Sequence, residues 1–93
     1  MTDLKETIGK NIQYLRKESN MTQQELADKL NYTSKAVSKW ERGESMPEID
    51  ILASIASLFN VTVDFLLHED SKTHKKDYVP SDIKDKNKYL VTA

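Results

Sequence analysis

Apolar residues at Leu4, Ile8, Ile12 and Leu15 recur at spacings of four, four and three, with Lys5, Glu6, Lys10, Gln13 and Arg16 between them. That period draws one apolar stripe down a helix, so the first segment is predicted to be an amphipathic helix ending near Ser19-Asn20. Thr22-Gln23-Gln24-Glu25 then reads as a capping box, in which a hydroxyl and a carboxylate satisfy amides at the start of a second, short helix. Leu26, Ala27 and Leu30 face inward from it. Asn31 tolerates the left-handed backbone that ends one helix and turns sharply into the next. Thr33 caps a third helix, with Val37 and Trp40 on its inner face and Ser34, Lys35, Ser38 and Lys39 on its outer face. Glu41-Arg42-Gly43 closes that helix, glycine being the usual C-terminal stop. Pro47 marks the start of a fourth, with Glu48 and Asp50 near its first turn, where the helix dipole favours acids. Leu52, Ile55, Ala56 and Phe59 form its stripe. Asn60 ends it, Thr62 caps a fifth helix, and Val63, Phe65, Leu66 and Leu67 supply the last core contacts. No segment alternates with period two, so the fold class is all-α with five helices.

From His68 onward the composition turns to His-Glu-Asp-Ser-Lys-Thr-His-Lys-Lys-Asp, which buries too little apolar surface to offset its ordering entropy. The expected division is a domain over residues 1–67 and a charged, mobile extension over 68–93. Trp40, three residues from Val37 on the same face, is expected to anchor the core rather than stack on a ligand. The 93-residue chain has no cysteine, which excludes disulfides and thiolate metal sites and suits a reducing cytoplasm. Met1-Thr2-Asp3-Leu4 lacks the basic and apolar regions of a secretory signal, and a cytoplasmic location is expected. His68 and His74 stand in a polar stretch without a third ligand, so no metal site is expected, and no cofactor. With only Gly9 and Gly43 there is no glycine-rich phosphate loop, and no histidine lies in the domain; an enzyme is not expected.

The net charge of −1 does not mark a nucleic-acid binder, so any such role depends on where the cations stand. Two helices joined by a tight turn, the second polar on its outer face, form a unit that sets one helix in the DNA major groove while the other crosses the backbone. Thr22-Gln23-Gln24-Glu25-Leu26-Ala27, Val37-Ser38-Lys39-Trp40-Glu41-Arg42-Gly43, Pro47 and Asn60-Val61-Thr62-Val63-Asp64-Phe65-Leu66-Leu67 make the order specific. Over residues 4–67 the chain resembles the Cro and lambda-repressor-like helix-turn-helix regulators, also called the xenobiotic-response-element family. It departs from that pattern at Asn31, where glycine is usual, and at Tyr32, where a small aliphatic residue is usual; Tyr32 is expected to alter packing beside the third helix. The resemblance implies that Ser34, Lys35 and Lys39 meet base edges and that Gln23 and Arg42 hold phosphates. It also implies an ion pair between Arg16 and Glu41. The residue chemistry agrees: Lys35 and Lys39 are four apart, lysine donates to guanine O6 and N7, and Gln23 follows a helix cap whose amides suit a phosphate.

The function so implied is a sequence-specific DNA-binding transcriptional regulator, with repression the expected sign and double-stranded DNA the partner. One recognition helix reads few base pairs, so a homodimer on a palindromic operator is expected, with the fifth helix and the residues after it as the pairing surface. The competing class is an antitoxin-like protein-interaction module on the same fold. A nonspecific DNA-coating protein is disfavoured by the near-neutral charge. Lys84, Lys86 and Lys88 ahead of Tyr89-Leu90-Val91-Thr92-Ala93 resemble the cytoplasmic flank of a membrane helix, which would make the chain part of a longer, membrane-tethered regulator. A natural frayed end is the alternative.

Overall fold

The computed structural model describes residues 3–68, which form α1 (Leu4–Glu18), α2 (Gln23–Leu30), α3 (Ser34–Glu41), α4 (Ile49–Leu58) and α5 (Val63–Leu67), with no strand among the described residues. The sequence-based readings of residues 69–93, namely the mobile extension, His74 and the membrane-flank pattern, lie outside them. No helix of the described residues is long and apolar enough to cross a membrane.

Local chemistry sets the helix starts. Asp3 accepts from the Lys5 amide at 3.1 Å, Thr33 from Ala36 at 3.1 Å and Thr62 from Phe65 at 3.0 Å. At α2 the capping box is complete: Thr22 Oγ1 accepts from the Glu25 amide at 3.0 Å, and Glu25 Oε1 accepts from the Thr22 amide at 2.8 Å. Glu48 precedes α4 without a side-chain cap.

The first four helices end alike, each on one residue in the left-handed region: Asn20 at φ 55°, Asn31 at 64°, Gly43 at 75° and Asn60 at 59°. In each case the next amide reaches back five residues: Met21 to Arg16, Tyr32 to Ala27, Glu44 to Lys39 and Val61 to Ala56, at 2.8–3.0 Å. This is the Schellman turn, which satisfies carbonyls that the helix end leaves unbonded.

Ile8, Ile12 and Leu15 of α1 meet Leu26, Ala27, Leu30, Val37, Trp40, Leu52, Ile55, Ala56 and Leu66 in one buried cluster. Trp40 is a core residue, 4% exposed. Leu4, expected on the same stripe as Ile8, is instead 47% exposed. The turn that follows α3 meets α1 further along, where Gly43 packs beside Glu6. Phe59 is half-buried rather than core.

Two residues of α1 hold the bundle in ways local pattern does not reveal. A methyl group on Gly9 would stand 2.1 Å from the Trp40 carbonyl oxygen, so α1 and α3 touch backbone to backbone at that point. Asn11, 1% exposed among apolar neighbours, donates from Nδ2 to the carbonyls of Leu66 and His68, each at 2.9 Å, and to Phe65 at 3.3 Å. Its side chain thus ties the end of α5 to the middle of α1.

Candidate nucleic-acid interface

Asn31, Tyr32 and Thr33 separate α2 from α3. Three residues suffice because Asn31 reverses the chain in the left-handed region and Thr33 at once caps the next helix. Tyr32 lies against Trp40 with ring centroids 5.4 Å apart and planes tilted by 54°. The turn is therefore braced by an aromatic contact on the back of α3.

Outward from that brace, Lys35 and Lys39 are exposed and sit one turn apart, and neither is ion-paired among the described residues. Ser34 is half-buried at the first position of α3. Ser34, Ser38 and Arg42 follow a stripe adjacent to the two lysines, because residues four apart share a helix face. Ser38, on the outer face but outside the candidate contacts read from sequence, is bonded through Oγ to Arg42 Nη1. Arg42 closes α3 and is half-exposed; its Nε donates to Glu44 Oε2 at 2.8 Å and its Nη2 to Glu44 Oε1 at 3.1 Å.

Gln23 does not stand beside this group through its own side chain alone. Its Nε2 donates to Glu41 Oε1 at 3.0 Å, so the amide group is tied to the end of α3. Its backbone amide, in the first turn of α2, has no intrahelical acceptor by position.

Glu41 is the organising anion beneath the surface. With its side chain 2% exposed, it accepts from Arg16 Nε at 2.6 Å, Arg16 Nη2 at 3.0 Å, Gln23 at 3.0 Å and Gln13 at 3.5 Å. Arg16 Nη1 also donates to the Met21 carbonyl at 2.8 Å. The expected Arg16–Glu41 pair is present, and it links α1, the start of α2 and the end of α3. The wider network is not evident from sequence, although Gln13, three residues before Arg16, is a local signal.

No group of three metal-ligating side chains occurs among the described residues. His68 Nδ1 lies 2.8 Å from the Asp64 carbonyl oxygen and 3.6 Å from its carboxylate.

A short helix, a three-residue turn and a second helix whose outer face carries two lysines and an arginine define a helix-turn-helix unit. The chain belongs to the Cro and lambda-repressor-like helix-turn-helix family, whose model, described as helix-turn-helix, matches residues 12–66. It is 41% identical over 60 residues to the HTH-type transcriptional activator BcrR of Enterococcus faecalis, a match covering 64% of this chain and 29% of that protein. It is 28% identical over 81 residues to the immunity repressor protein of Bacillus phage phi105, covering 85% of this chain and 56% of that protein. The chain thus spans about a third to about a half of the length of these relatives. The clp gene regulator ClgR of Corynebacterium glutamicum superposes with a TM-score of 0.69 over 82% of this chain and 81% of that one; at 24% identity this speaks to fold alone.

Proposed function

We propose that the chain is a sequence-specific DNA-binding regulator of transcription that sets α3 in the major groove, with Lys35, Lys39 and Ser34 toward base edges and Gln23 and Arg42 toward phosphates. The observation that carries this reading is the contrast between the two faces of α3. The inner face is locked by Trp40 and by Glu41 to α1 and α2, while the outer face presents Lys35 and Lys39 without ion-pair partners among the described residues. A rigid helix with cationic donors pointing away from the bundle suits groove readout, since lysine donates to guanine O6 and N7. Repression is the proposed sign, in line with the phage immunity repressor among the relatives; another relative bears the name of an activator.

A homodimer is part of the proposal, because one helix contacts too few base pairs for useful specificity and paired half-sites lie about 34 Å apart. The pairing surface is assigned to α5 and the residues after it, which leaves α3 unobstructed. The cytoplasm is the matching location. The membrane-flank reading of residues 84–93 rests on sequence pattern alone, and a stop codon directly after Ala93 in the gene would end it.

Selection of bound fragments from random duplex DNA tests the proposal. A palindrome with half-sites one helical turn apart is the expected product. Failure to enrich any sequence over the starting pool overturns sequence-specific binding, and an enriched site without two-fold symmetry overturns the dimer.

A further inference from the structure

Of the four Schellman turns, three place an apolar residue after the left-handed position and return it to the protein. Met21 and Val61 pack against the core, and Tyr32 lies on Trp40. Such a contact is the usual companion of this turn. After Gly43 the corresponding residue is Glu44, which is exposed. Its amide is held by the Lys39 carbonyl at 2.9 Å, and Gly43 is packed beside Glu6, so the backbone there has little room to turn away. The carboxylate is thereby delivered to Arg42 as a two-pronged acceptor, at 2.8 and 3.1 Å. Ser38 takes the remaining nitrogen, Nη1, so all three guanidinium nitrogens are engaged within the protein. Hydrogen bonds from Arg42 hold the Glu44 carboxyl below its usual value against some desolvation, and the charges of Arg42 and Lys39 add in the same lowering direction.

We propose that Glu44 is a built-in competitor for phosphate at Arg42, holding down the protein's affinity for DNA of every sequence. The inference rests on the DNA-binding reading above. A carboxylate and a phosphate compete for the same fork of donors. Because the pair is exposed it is weak, and phosphate displaces it at a modest cost. Phosphates carry no base identity, so that cost falls equally on operator and non-operator DNA. Glu44 therefore sets absolute affinity and salt sensitivity, and the outer face of α3 sets base preference.

The test titrates wild type, Glu44→Gln, Arg42→Ala and the double variant against the enriched duplex and its scrambled counterpart at several salt concentrations. Glu44→Gln is expected to tighten both duplexes by a similar factor of roughly two to five. It is also expected to steepen the salt dependence by less than about one unit per subunit, because in the wild type the displaced Glu44 carboxylate offsets part of the counterion release that Arg42 brings. In the Arg42→Ala background most of that gain should vanish. An equal gain in both backgrounds makes Glu44 a general repulsive charge and overturns the proposal. Weaker binding by Glu44→Gln overturns it too, since Glu44 would then be aiming Arg42 at phosphate. Both of those results leave wild-type binding intact; wild type that binds neither duplex removes the DNA-binding reading itself, and this proposal with it.

Discussion

Two arginine–glutamate pairs flank the end of α3, and they share a geometry. In each, Nε donates to one carboxylate oxygen and Nη2 to the other. Arg16 and Glu41 are 11% and 2% exposed in their side chains, whereas Arg42 and Glu44 are 53% and 52% exposed. Solvent decides what each pair does. Water screens the outer pair and competes for its donors, so it contributes little to stability and stays exchangeable. The inner pair has given up that water. Glu41 is tolerable there because Gln13 and Gln23 complete its acceptor sites, and Arg16 finds a further acceptor in the Met21 carbonyl. One pair is structural, and the other lies on the surface proposed to meet DNA.

Breaking the inner pair is expected to have the largest effect. Arg16→Ala strands a buried carboxylate and should cost about 3–5 kcal/mol of stability, read by urea denaturation, with DNA binding lost as the fold is lost. A loss below about 1 kcal/mol would give the inner pair the energetics of a surface pair and erase the contrast.

Close to Glu41, Gly9→Ala sharpens the same point. A glycine-to-alanine change in a helix interior usually stabilises by about 1 kcal/mol. Here the new methyl would collide with the Trp40 carbonyl where α1 meets α3, so a loss of roughly 1–3 kcal/mol is expected instead. A rise in melting temperature would contradict the backbone contact.

At the outer pair, Arg42→Ala should leave the urea midpoint unchanged. It should weaken enriched and scrambled duplexes by a similar factor and lower the salt slope by no more than about one unit per subunit, because Arg42 has to leave Glu44 before it neutralises a phosphate. A change in base preference would place Arg42 among the reading residues rather than the positioning ones.

Features that close within one helical turn are legible in the sequence. Thr22 with Glu25, Thr33 and Thr62 announce helix starts because cap and capped amide are neighbours in the chain, and Asn31 and Gly43 announce ends because few residue types enter the left-handed region. The outer face of α3 is legible for the same reason: Lys35 and Lys39 are one turn apart and Trp40 fixes which side faces in. Contacts that join distant segments leave weaker traces. Asn11 meets acceptors 54 to 57 residues away, and its only local sign is a polar residue on an apolar stripe. Gly9 looks like a neutral helix residue until α3 is laid against it. Gln23 reads as a phosphate contact, and nothing in its own surroundings signals the side-chain bond to Glu41, 18 residues on. Leu4 shows the converse, a periodic apolar position that stays about half exposed, at 47%. Glu44 is only two residues from Arg42, but whether its carboxylate reaches the guanidinium depends on the left-handed turn at Gly43.

The central claim is that α3 reads bases with the lysines on its outer face. The most direct measurement is the change in sequence preference of Lys35→Ala and Lys39→Ala, each compared with wild type on the enriched duplex and on variants substituted one base pair at a time. Each replacement is expected to cost about 1–3 kcal/mol on the enriched duplex and to relax preference at a particular base pair while the remaining positions keep theirs. If both variants keep the full wild-type preference at every position, α3 does not read the major groove, and a protein-interaction role for this fold becomes the better account.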